Sequence, residues 1–152
     1  MVIDGHPLPL EPRLGHLLKQ AQAKLARASA EALAAHGVDG HDLAVLGVLC
    51  AGSGEELSQV EVAGRLGIDR TTMVALIDGL EDQGLVRRRR SPRDRRKNIV
   101  EPTPEGRDCL HRAERARRAA EHRFLAPLDT ETASALVRAL TLLAGETPAT
   151  AE

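Results

Sequence analysis

Leu57–Arg107 reads LSQVEVAGRLGIDRTTMVALIDGLEDQGLVRRRRSPRDRRKNIVEPTPEGR. Ser58-Gln59-Val60-Glu61 fits a capping box: the Ser hydroxyl bonds an amide three residues on, and Glu reaches back to the Ser amide. A short helix is expected from there through Leu66, closed by Gly67. Asp69 then caps a second helix, in which Met73, Leu76, Ile77 and Leu80 form one apolar stripe at i, i+3, i+4 and i+7. Gly84 ends it. Two helices joined by a tight Gly-containing turn, the second with an exposed face, make a helix-turn-helix pattern.

The next residues carry the charge. Val86–Lys97 holds Arg87, Arg88, Arg89, Arg90, Arg93, Arg95, Arg96 and Lys97 against Asp94, a net of +7, within a chain whose net charge is −1. Everything else therefore sums to −8. A cationic spike on an acidic body is a placed feature, because general attraction to polyanions would favour a basic whole. Arg runs often form nothing more than a solvated face. This one is internal, contains a Ser91-Pro92 turn, and leads into the strand-like Asn98-Ile99-Val100-Glu101, so it reads as a hairpin with a basic tip.

Helical periodicity extends outward on both sides. Leu14, Leu17, Leu18, Ala21, Leu25, Ala28 and Ala32 predict one long amphipathic helix from about Pro12 to Ala35. Residues 40–51 are apolar nearly all round and predict a buried helix. Thr103-Pro104 supplies a cap with Pro at the first helical position. Cys109, Ala113, Ala116, Ala120 and Phe124 then share a face, and Pro127 breaks that helix. Asp129 caps a last helix with a stripe of Ala133, Leu136, Val137, Leu140 and Ala144. The stripes of the terminal helices need more cover than a small monomer offers, which predicts packing against a second copy.

Composition bounds the rest. At 152 residues, 42% hydrophobic and 28% charged, the chain fits one compact domain. One Phe, no Tyr and no Trp exclude base stacking on aromatic rings and aromatic cages for cations. The longest apolar run, Leu43 to Ala51, is too short to span a bilayer. The opening MVIDGHPLPLEPR lacks a signal-peptide layout, and two Cys without paired spacing point to a reducing cytoplasm. No nucleophile elbow, phosphate-binding Gly loop or His-Glu-x-x-His spacing argues for an enzyme, and no cofactor is expected.

At this point the residues resemble a known family. Leu57–Arg107 strongly resembles the winged-helix core of the multiple-antibiotic-resistance regulator (MarR) family: a helix-turn-helix, then Gly-Leu-Val, an Arg-rich hairpin with Asp-x-Arg, and Thr-Pro-Glu-Gly. Element order outside that core agrees as well. The resemblance implies a mainly α fold with a small β-hairpin wing. Residues 39–102 would form the winged helix-turn-helix lobe, residues 1–38 and 103–147 a helical dimerisation region, and residues 148–152 a disordered tail. It further implies a homodimer on a palindromic double-stranded DNA operator, with recognition helices in major grooves and wing tips in flanking minor grooves. Members are mostly repressors, and many release DNA when a small, often phenolic or lipophilic, anion binds or a cysteine is oxidised. Here the effector is unnamed by the residues.

The chemistry of single residues fits this picture. The head of the first short helix, Ser58-Gln59, can hold a phosphate. On the second helix Arg70, Thr71, Val74, Ala75 and Asp78 face outward. Arg70 can reach guanine edges or phosphate, and Thr71 and Thr72 either. Val74 and Ala75, at positions where members often carry polar or basic residues, offer apolar contact such as to a thymine methyl. In the wing, Asp94 can orient the guanidinium of Arg96 for a narrow minor groove, while Arg88, Arg93, Arg95 and Lys97 neutralise phosphates. Pro102 stands where members usually have Leu, so the last strand is expected to end early.

Three other readings compete. His6, His16, His36, His41, His111 and His122 with Cys50 and Cys109 are candidate metal ligands, but no two adopt a tight ligand spacing. Redox sensing needs an exposed acidic thiolate, whereas Cys50 and Cys109 lie on apolar helix faces. A winged-helix protein-interaction module without DNA function gains little from an Arg-rich wing and an Arg/Thr recognition face.

Overall fold

A computed structural model describes residues 2–3, 6–7, 11–52 and 54–146. The tail expected at residues 148–152 lies outside them. A minimal antiparallel pair, β1 (Val2–Ile3) and β2 (His6–Pro7), precedes helix α1 (Glu11–Ala34). There follow α2 (Gly40–Ala51), β3 (Leu57–Ser58), α3 (Gln59–Leu66), α4 (Arg70–Asp82), β4 (Val86–Arg90), β5 (Asn98–Pro102), α5 (Pro104–Leu125) and α6 (Thr130–Ala144). Among the described residues no helix is long and apolar enough to cross a membrane.

Helix starts follow the capping signals. Ser58 Oγ accepts from the Glu61 amide at 3.3 Å, and Glu61 returns the bond to the Ser58 amide at 2.7 Å. Asp69 accepts from the Thr72 amide, Thr103 from the Gly106 amide and Asp129 from the Thr132 amide. Asp39 and Asp42 form a further reciprocal box on α2. Gly67, at φ +63°, closes α3 in the left-handed conformation that glycine adopts without steric penalty.

The core lies where α2, α3, α4 and the sheet meet. Val45, Leu46, Val62, Met73, Ile77 and Leu80 are fully buried there, joined by Val86, Val100 and, from α5, Cys109 and Ala113. Each large side chain so buried contributes about 1.5–3 kcal/mol. Leu76, the remaining residue of the α4 stripe, is only half-buried and packs at the edge.

The sheet has order β3-β5-β4, antiparallel throughout. Strand β3 has no counterpart in the sequence reading, since two residues are too few to show alternation. The early end expected at Pro102 is corrected: Pro102 pairs with Val86 as the last residue of β5. Strand β3 reaches only Val100 and Ile99 on the other side, so no ladder partner there needs the N–H that proline lacks.

Helices α1 and α5 pack against each other, and this covers only part of their apolar surface. In α1, Leu25, Ala28 and Ala32 are half-buried and Leu33 is buried, whereas Leu14, Leu17, Leu18 and Ala21 are exposed. In α6 no residue is buried, and the expected stripe residues Leu136, Val137 and Leu140 face solvent.

Candidate nucleic-acid interface

The wing tip is a built turn. Ser91, itself buried, accepts through its hydroxyl from the amides of Arg93 and Asp94, and its own amide bonds the carbonyl of Lys97 at 3.0 Å. Lys97 donates its amide to the Asp94 carbonyl. Asp94 Oδ1 accepts from the backbone amide of Arg96 at 3.0 Å. The expected contact from Asp94 to the Arg96 guanidinium is therefore replaced by a contact to its backbone. The carboxylate shapes the turn and leaves the guanidinium extended into solvent.

Strand alternation sorts the Arg run. Arg87 and Arg89 share one face and converge on Glu101, with Arg89 also bridging Glu56. Arg88 points to the opposite face, against α4, where it pairs with Asp78 and Glu81 and its side chain is 20% exposed. Arg88, expected to neutralise phosphate, is held by protein carboxylates in the free chain. Arg90, Arg93, Arg95, Arg96 and Lys97 are exposed and form no ion pair among the described residues.

Of these cations, Arg96 and Lys97 sit beside the helix-turn-helix. Ser58, Gln59, Val60, Glu61, Arg70, Asp94, Arg96, Lys97 and Asn98 line one open cleft of about 450 Å³. The fold so brings the head of α3, the first residue of α4 and the wing tip to one place. Thr71, Val74 and Ala75 are exposed further along α4. Two of the expected residues are engaged within the protein. Ser58 is buried, with both hydroxyl and amide engaged in its cap, so Gln59 and Val60 present the head of α3. The Thr72 hydroxyl donates to Asp69 at 2.6 Å, which commits its proton to the helix cap. Val60, which half-exposes its side chain in the cleft, was not singled out from sequence. An apolar residue at N2 carries no signal of its own.

The electrostatics favour ionised carboxylates. The guanidinium of Arg89, and then that of Arg87, holds Glu101 below the usual carboxylate range. The Ser58 amide does the same for Glu61, and Thr72 for Asp69. A carboxyl lowered by folding adds stability above its ordinary range that is lost as pH falls through the lowered value. The thermal midpoint is therefore expected to fall on acidification below the usual carboxylate range. Asp42 works in the opposite direction, since burial raises its pKa. Glu101→Gln should flatten the acid limb, and an unchanged pH profile in that variant would remove Glu101 from the account.

Burial pushes both thiols up: Cys109 is buried with Sγ donating to the His36 carbonyl at 3.8 Å, and Cys50 is half-buried. Among the described residues no cluster of three His, Cys, Asp or Glu side chains could hold a metal ion.

Known proteins share this arrangement. A profile of the MarR family matches residues 36–97. A protein of Thauera aromatica, named for transcriptional regulation of the hcr operon, is 38% identical over 96 residues, covering 61% of this chain. The match spans 58% of that relative's own length. The repressor CouR, solved on a 23-mer DNA duplex, is 33% identical, with a TM-score of 0.72 over 91% of this chain and 99% of its own. CouR from Rhodococcus jostii RHA1 has also been solved with p-coumaroyl-CoA, at 29% identity, a TM-score of 0.66, and 96% and 100% coverage. A regulator from Rhodococcus sp. RHA1, described as MarR family, is 28% identical, with a TM-score of 0.69 over 91% and 96% of the two chains. Core profile, near full-length structural likeness and the winged-helix geometry agree, and the chain belongs to the MarR family of transcriptional regulators.

Proposed function

We propose that the protein is a homodimeric, sequence-specific double-stranded DNA-binding repressor of the cytoplasm, released from a palindromic operator by a small-molecule effector. The observation that carries the reading is the sorting of the basic run. Arg87, Arg88 and Arg89 are paired with carboxylates at the wing base, while Arg96 and Lys97 of the tip share a cleft with Arg70 and the head of α3. Arg90, Arg93, Arg95, Arg96 and Lys97 against Asp94 leave a net of +4 at the tip of an otherwise acidic molecule. That is the layout of a surface that meets phosphate at one place.

In this reading Arg70 and Thr71 hydrogen-bond base edges or phosphates in the major groove, and Val74 and Ala75 make apolar contacts there. With few hydrogen bonds available, sequence preference leans on DNA shape, and Arg96 supplies it by entering a narrow minor groove. Arg93, Arg95 and Lys97 neutralise phosphates, and Gln59 positions the backbone. Helices α1, α5 and α6 form the dimerisation region. CouR, similar along its whole length, was solved both on DNA and with an acyl-CoA, which supports DNA as partner and a small molecule as effector.

Fluorescence anisotropy with promoter DNA across a salt series tests the reading. Neutralisation of roughly 8 phosphates per dimer gives a slope of log affinity on log salt of about −7. Arg96→Ala is expected to cost about 1–3 kcal/mol of operator binding. An Arg96→Ala protein that binds as tightly as the parent would refute the wing assignment.

A further inference from the structure

We propose that Arg88 is a positioning residue that fixes the wing to the recognition helix, and that discrimination between operator and other DNA depends on this tie. The proposal rests on the DNA-binding reading above and assigns Arg88 a task other than phosphate contact.

The geometry is a convergence of three elements on one guanidinium. From β4, Arg88 Nη2 donates to Asp78 Oδ1 at 2.5 Å and Nη1 donates to Glu81 Oε1 at 3.2 Å, both on α4. Nη2 also approaches the Val74 carbonyl of α4 at 3.5 Å. Nε donates to Gln59 Oε1, on α3, at 3.2 Å. Glu81 closes the tie with its second oxygen, which accepts from the Arg88 backbone amide at 3.0 Å. All three guanidinium nitrogens are engaged, and a planar fork imposes direction as well as distance on its partners.

The carboxylates it holds stay partly exposed, Asp78 at 55% and Glu81 at 41% of the side chain. Such pairs add little to global stability. Their effect lies in relative orientation. Asp78 stands one turn beyond Val74, on the outward face of α4 that carries the base-reading residues, and the same contact anchors the first half of the wing. A recognition helix and a wing that must enter two grooves at once need a set mutual angle, and this cluster joins them through one arginine and its partners.

Arg88 also offsets one of the two negative charges of Asp78 and Glu81 near the DNA face, so the test separates positioning from charge. A duplex enriched from a random pool by the parent protein is compared with a scrambled duplex, by anisotropy, over a salt series. If charge alone matters, Arg88→Lys behaves like the parent, and Asp78→Asn with Glu81→Gln tightens binding to both duplexes equally. If Arg88 positions the wing, both variants lower the ratio of enriched to scrambled affinity by about tenfold, the worth of one mismatched base pair. Asp78→Asn with Glu81→Gln does so even while its binding to the scrambled duplex strengthens. Circular dichroism of each variant confirms the fold, and the carboxylate pair, being exposed, provides a variant that folds if Arg88→Lys does not. An unchanged ratio in both variants overturns the inference and leaves the DNA-binding reading intact. A parent that enriches no duplex overturns both.

Discussion

Gly106→Ala is expected to lower stability by about 3 kcal/mol or more, the upper range for forcing atoms into occupied space. A Cβ at Gly106 would lie 2.0 Å from the carbonyl oxygen of Leu85 and 3.0 Å from its carbon. These are backbone atoms, so no side chain can swing aside. The Leu85 oxygen is itself held, because it accepts from the Thr103 amide at 3.0 Å. The Thr103 hydroxyl in turn donates to the Gly84 carbonyl at 2.6 Å and accepts from the Gly106 amide at 3.0 Å. The start of α5 and the turn between α4 and the wing therefore form one closed set of hydrogen bonds around a glycine with no room for a methyl group. Gly79→Ala, in exposed mid-α4 where a Cβ meets nothing within 4 Å, is the control. It should stabilise by about 0.5–1 kcal/mol through helix propensity. Chemical denaturation of both variants checks the pair, and equal, small effects would show that α5 can back away from Leu85 freely.

Leu136→Glu combined with Leu140→Glu is expected to convert the protein to a monomer and abolish operator binding. In the single chain these leucines are 36% and 43% exposed, and no residue of α6 is buried. Placed there, Glu in a true monomer would change stability by no more than about 0.5 kcal/mol. If a second copy covers the stripe, each Leu contributes about 1.5–3 kcal/mol, and two-fold symmetry doubles the loss. Leu14, Leu17 and Leu18 of α1 are exposed as well, so uncovered apolar surface is present on both terminal helices. Sedimentation of parent and variant at micromolar concentration decides it. A parent that sediments as a monomer would remove the dimer from the proposed function, and a variant that stays dimeric would remove the α6 stripe from its interface.

Much of this was legible in the residues. Ser58 with Glu61, Asp69, Gly67 and Thr103-Pro104 stand at helix ends where the sequence reading placed them, because a cap is made within three or four residues of chain. The Met73, Ile77 and Leu80 stripe is buried as its spacing predicts. Contacts that bridge distant segments were not legible. Nothing local distinguishes Arg88 from Arg87 and Arg89. Their separation into one partner of α4 and two partners of Glu101 depends on the β4–β5 register and on which strand face turns to the helix. Strand β3 and the pairing of Pro102 were hidden for the same reason, as was the burial of Ser58.

The amino-acid order alone determined the helix boundaries, the helix-turn-helix, the place of the hairpin and the concentration of positive charge within it. Those features follow from periodicity and from hydrogen bonds closed over a few residues. The tertiary structure decided which cations remain available at the tip, which are held at the wing base, and that Asp94 braces the turn through the Arg96 amide. Charge is a property of composition. Whether a charge meets a protein carboxylate or faces outward is set by long-range register, which brings together charged residues as far as 33 positions apart, such as Arg89 and Glu56.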